Sequence, residues 1–159
     1  MHAIFKSDAV VAGIMPDFAQ AGVILCRSAE YVTEDDELVS GDTLQMVPVP
    51  NGAKVLRVEV YHSALPAGTT AADIGYGGDA NAFMDGAIMT GANIRIWPSL
   101  KGNGPTQHSF RQTAGFLHTF TADDTIDIAF YKLATKIPTN QHIKMAVWYK
   151  MTGVLEDEE

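Results

Sequence analysis

The sequence predicts an all-β protein, a two-layer antiparallel β-sandwich or barrel with an extended N-terminal arm. Three observations predict it. Two late segments alternate strictly, with Ile126, Ile128 and Phe130 opposing Asp127, Ala129 and Tyr131, and Ile143, Met145, Val147 and Tyr149 opposing Lys144, Ala146, Trp148 and Lys150. A period of two places one set against a core and the other toward water. Similar short runs recur along the chain between turn signals, with hardly any helical segment, as in sandwiches and barrels. Finally, 159 residues with 47% hydrophobic content are enough for one domain with a real core.

The elements follow in order. Residues 1–21 are mildly apolar and broken by Gly13 and Pro16; a helix begun at Ala9 to Ala12 stops there. This segment is expected to be an extended arm lying on its own body or on a neighbouring subunit, the neighbour being favoured. The sandwich is assigned to 22–155. It opens with the apolar run Val23 to Arg27, continued past a kink by Ala29 to Thr33, and Glu34 to Glu37 reads as a solvated acidic turn. Asp42 to Val49 is a strand limited by Pro48 and Pro50, and Pro50 to Ala53 is a tight turn in which Gly52 takes positive φ. Lys54 to His62 is a strand with Leu56, Val58 and Val60 on one side and Arg57, Glu59 and Tyr61 on the other. Ala71 to Gly75 is a brief strand entering a glycine-rich loop, Gly75 to Gly86. Ala92 to Trp97 alternates again, and Lys101 to Pro105 is a connector. A turn at Ala122 to Asp124 leads to the two late strands, and 156–159 form an acidic tail.

Charge and composition exclude several classes of function. The net charge is −8, which argues against duplex DNA or RNA as a partner, since phosphate binding needs clustered Lys and Arg. No apolar stretch reaches the length of a membrane span, and the opening residues lack the order of a signal peptide, so use without export is expected. The single cysteine, Cys26, allows no internal disulfide and reads as a small buried hydrophobe.

No reaction centre, cofactor or metal site is assembled by motif. Gly75 to Gly78 is followed by Asp79 rather than by a Lys-Ser/Thr pair, so it does not cradle phosphate. Asp79, Asn81 and Asp85 lack the ligand order of an EF-hand and read as an Asx-rich turn or a looser cation site. His2, His62, His108, His118 and His142 form no zinc-spaced pair; His62 and His142 read as surface or edge residues. Ser63 beside His62 is no evidence of a triad, because triads are defined by geometry. The chain is therefore read as non-enzymatic.

Candidate contact residues are of two kinds. Ile4, Phe5, Ile14, Met15 and Phe18 of the arm must hide apolar surface against something. Tyr61, Trp97, Tyr131 and Trp148 lie opposite the aliphatic residues of their strands. Either they line a second core layer, or they cover an exposed sheet face that docks protein, where Trp and Tyr are enriched.

The order of segments resembles a known group. Lys6-Ser-Asp-Ala9 precedes Asp42-Thr-Leu-Gln-Met-Val47, the turn Pro50-Asn-Gly-Ala-Lys-Val55, the loop Gly75 to Gly86 and Ala122-Asp-Asp-Thr-Ile-Asp127. This resembles small structural proteins encoded among the head genes of tailed bacteriophages, several of which look like capsid decoration, or cement, proteins with a jelly-roll or related β-sandwich. The resemblance implies that the expected sandwich is jelly-roll-like. The departure is Gly75-Tyr-Gly-Gly78, which adds an aromatic to a small acidic loop. The resemblance implies a virion component on the capsid exterior, assembled in the host cytoplasm, that binds the major capsid protein and itself as a dimer or trimer. It implies no catalytic residues. The alternatives are a head–tail connector, tail or fibre component, or a carbohydrate-binding sandwich using Trp97 or Trp148.

Overall fold

The computed structural model describes residues 4–11, 23–34, 38–63, 65, 71–87, 89, 92–98, 118–133 and 137–152. In chain order the elements are β1 (Ile4–Lys6), α1 (Asp8–Val11), β2 (Ile24–Val32), β3 (Thr43–Val49), β4 (Ala53–His62), β5 (Ala71–Tyr76), β6 (Asp79–Ala87), β7 (Asn93–Trp97), β8 (Asp124–Lys132) and β9 (His142–Met151). They form a five-stranded sheet, β1-β3-β8-β5-β6, and a four-stranded sheet, β2-β9-β4-β7.

The pairing is nested. Strand β2 pairs with β9, β3 with β8, β4 with β7 and β5 with β6, each antiparallel. The chain thus behaves as one long hairpin rolled up on itself, which is the jelly-roll arrangement. The two inner faces meet in a single core. From one sheet it takes Leu44, Val47, Ile74, Phe83, Ile126, Ile128 and Phe130; from the other, Val58, Val60, Trp97, Ile143, Met145, Val147 and Tyr149. The two late strands alternate as the sequence predicts, with Ile126, Ile128, Phe130 and the set Ile143 to Tyr149 all inward.

The turn at Pro50 also forms as expected. Ala53 N donates to Pro50 O at 3.1 Å, and Gly52 has φ +80°. Pro48 does not end its strand. It lies opposite Thr125, past the three residues of β3 that β1 covers, where a proline is tolerated at a sheet edge.

Several further expectations need correction. The glycine-rich stretch is a hairpin rather than a loop: β5 and β6 meet at a Gly77-Gly78 turn. Register shifts in that pair bury the consecutive residues Ala82 and Phe83, which erases the alternation a strand would show in sequence. In β4 a bulge at Leu56 moves it out of the core and places Val55 inward instead. Strand β2 runs without a kink, and its register puts Cys26 on the outer face, exposed rather than buried.

The last correction concerns the arm. β1 pairs in parallel with β3 of the same chain, so the start of the arm lies on its own body rather than on a neighbour. Ser7 fixes it: its backbone N–H donates to Gln45 O at 2.8 Å, and its buried hydroxyl donates to Met46 O. The same Ser7 caps α1, its carbonyl accepting from Val10 and Val11. Ile14, Met15, Phe18, the connector at 101–105 and the acidic tail lie outside the described residues.

Candidate functional site

Register determines what the four-stranded sheet presents outward, since directly opposed residues share a face. Across β9 and β4, Trp148 opposes Arg57, Ala146 opposes Glu59 and Lys144 opposes Tyr61. On the β2 side, Cys26, Ser28 and Glu30 continue these three rows. On the β7 side, Ile96 and Ile94 continue the rows of Glu59 and Tyr61. The result is an outward patch with Arg57, Tyr61, Lys144 and Trp148 at its corners and Glu59 in the middle.

Glu59 is only 7% exposed although it points away from the core. Its carboxylate accepts from Arg57 Nε at 2.6 Å, forms an ion pair with Arg57 Nη2, and accepts from the Tyr61 hydroxyl. That hydrogen bond is the main cause of a raised Tyr61 pKa. The Arg57 guanidinium in turn sits over the Trp148 ring, 5.5 Å from its centroid. A second group flanks the patch: Glu30 accepts from His142 Nδ1 at 2.6 Å and pairs with Lys144 Nζ at 3.3 Å. The His142 contact is the largest cause holding the Glu30 carboxyl below its usual range. Lys54 and Lys150, opposite each other one row further on, extend the basic character.

The other sheet presents carboxylates. Asp127, between Gln45 and Gly75, is 8% exposed, and Thr125 Oγ1 donates to it at 2.6 Å. Burial drives its pKa up to about 7, with Asp124 adding to the rise. Asp73 accepts from Gly86 N at 2.9 Å, and burial, then Asp85, raise its pKa. Tyr131 is exposed beside them, and its raised pKa is due first to burial and then to Asp73 and Asp85.

The candidate contact residues divide accordingly. Tyr61 and Trp148 are brought together on one outward face, Tyr61 41% exposed. Trp97 is not with them: it is 1% exposed, packs edge-to-face on Phe83 at 4.9 Å and belongs to the core. In the short β7 both faces carry large apolar residues, so alternation alone does not tell which is inside. Ile4 is exposed on β1, and Phe5 lies opposite Leu44 in the register.

Arg57 and Glu59 were not singled out from sequence, and the signal was their spacing of two beside Tyr61 on one strand face. His62 is buried rather than at the surface, and burial lowers its pKa. Its Nδ1 faces the Ser63 carbonyl, while the Ser63 hydroxyl bonds Gln141 Oε1 at 2.8 Å, so the pair is a strand-end clamp. The Asp79 carboxylate meets Asn81 N at 3.4 Å, as in an Asx turn. Among the described residues no group of three or more His, Cys, Asp or Glu is placed to hold a metal.

No family model matches the sequence, and no curated protein matches it either. Solved structures do match in shape. A chain from the capsid of Ralstonia phage GP4 superposes with a TM-score of 0.70 at 15% identity, covering 96% of this chain and 99% of that one. A chain from the cyanophage Pam1 capsid asymmetric unit gives 0.55 at 18% identity, covering 86% and 90%. The jelly roll described above is therefore a fold that this chain shares, over almost its full length, with chains of two phage capsids.

Proposed function

We propose that this chain is a structural protein of a phage virion that decorates the capsid exterior and braces the shell by binding the major capsid protein. The observation that carries the reading is the match of the jelly roll to a chain of a phage capsid, covering 96% of this chain and 99% of that one. An outward face built from Arg, Trp and Tyr agrees with it, because those residue types dominate the energetics of protein contacts. A brace works by contact rather than chemistry, and many copies on a lattice reinforce one another without a large interface each.

In this reading Ile4, exposed on β1, and the arm residues Ile14, Met15 and Phe18 meet the shell, while Phe5, in register with the core residue Leu44, does not. Tyr61 and Trp148 meet a neighbouring protein. A sugar-stacking role is disfavoured: Trp97 is in the core, and Trp148 already carries Arg57 over its ring. The test is imaging of purified particles with and without this protein. Extra density on every facet is expected; density confined to a single vertex would turn the assignment to a connector or tail part, and its absence from particles would end the virion assignment.

A further inference from the structure

The outward face of the β2-β9-β4-β7 sheet holds chemistry that the fold itself does not need. Glu59 holds Arg57 by its Nε and Nη2 and the Trp148 ring lies under the guanidinium, yet the arginine side chain remains 46% exposed and that of Lys144 56% exposed. A guanidinium has five donors, and only Nε and Nη2 are engaged with Glu59. The group is pre-oriented to take a second carboxylate.

We propose that the occupant of this face is a second copy of the same chain, which docks the acidic β5–β6 edge of its other sheet against Arg57, Tyr61, Lys144 and Trp148. Three observations identify the occupant. That side of the sheet carries Asp79 and Asp85 on the edge strand β6 and Asp73 on β5, with the exposed Tyr131 beside them, on a chain of net charge −8, whereas the receiving face carries Lys54, Arg57, Lys144 and Lys150 against Glu30 and Glu59. Charge of opposite sign on two different surfaces of one molecule favours head-to-tail contact, and like-charge juxtaposition disfavours the face-to-face alternative. β6 is the last strand of its sheet, irregular in register and with Gly86 at φ +67°, so it approaches a neighbour through side chains rather than by extending the ladder. Because an edge points across the normal of a face, each added copy is turned relative to the last. A heterologous contact of this kind closes into a ring when that turn divides a full circle, and a discrete ring is the form expected here. The inference does not depend on the capsid assignment, since it concerns the chain alone.

The experiment is analytical ultracentrifugation of the purified full-length chain, with circular dichroism of every variant to confirm folding. Wild type should form one discrete oligomer that weakens as salt rises. Lys144→Glu and Asp85→Lys should each weaken association by roughly tenfold or more, and both together in one chain should restore most of it. Trp148→Ala, which alters no charge, should also weaken it. A wild-type monomer at every concentration overturns the proposal. So does a double variant that associates no better than either single one, the result an isologous or unrelated interface would give. Shell binding is scored separately, so loss of the ring and loss of the capsid role are told apart.

Discussion

At the scale of single residues, two tryptophans and one aspartate carry the sharpest expectations. Trp97 fills the core against Phe83, so Trp97→Ala should cost about 3–5 kcal/mol in urea unfolding. Trp148→Ala removes a surface ring under Arg57 and should cost about 1 kcal/mol. Comparable losses for the two would contradict their placement on opposite faces. Asp127 has a folded pKa near 7 against an ordinary 3.8, so the folded state holds its proton more tightly than the unfolded one. Its contribution is therefore fully favourable below pH 3.8 and is lost as pH rises toward 7, on the order of 4 kcal/mol in all. Asp127→Asn should raise the melting temperature at pH 8 by several degrees and change it little at pH 4. Buried His62 acts in the opposite sense, its lowered pKa favouring the fold as pH rises, and because the variant leaves it untouched the comparison isolates Asp127. Sequence showed Asp127 as the wetter half of an alternating pair, and only the neighbouring strands reveal that it is covered.

Among the elements, legibility depended on whether a strand keeps its register. β8 and β9 were readable because their inward residues are uniformly apolar over several repeats. The Pro50 turn was readable because Gly52 supplies a conformation that side chains resist. Bulges hid the rest. A residue inserted at Leu56 or in the β5–β6 pair reverses which parity faces inward, and nothing in composition marks the position. The hairpin itself rests on Gly75, where an added Cβ would fall 2.1 Å from Asp79 O. Gly75→Ala should therefore destabilise by about 3 kcal/mol or more, read as a lower midpoint in denaturant. An unchanged midpoint would mean that β5 and β6 do not approach as described.

For the whole molecule, the arm is the part whose removal separates fold from task. Deleting residues 1–21 takes away β1, α1 and the Ser7 bonds to β3 but none of the four nested pairs. The truncated chain should keep a β-type circular dichroism spectrum with somewhat lower stability and should bind shells less well in co-sedimentation. Undiminished shell binding would remove the arm from the contact. The outward patch was half legible at this scale: Tyr61 and Trp148 stood out by residue type, but their meeting required the pairing of β4 with β9, two strands eighty or more positions apart in the chain.

That pairing also dictates when the protein can come into being. β9, the last of the described strands in chain order, lies between β2 and β4, so this sheet lacks its centre until His142–Met151 has been made. Growth at roughly 5–20 residues per second leaves the early strands waiting for seconds, with Val58 and Val60 of β4, buried in the finished fold, open to the wrong company. Contacts this distant in sequence also form slowly. The β2-β9-β4 sheet thus closes only once β9 exists, and a chain cut short before His142 has no route to the native sandwich.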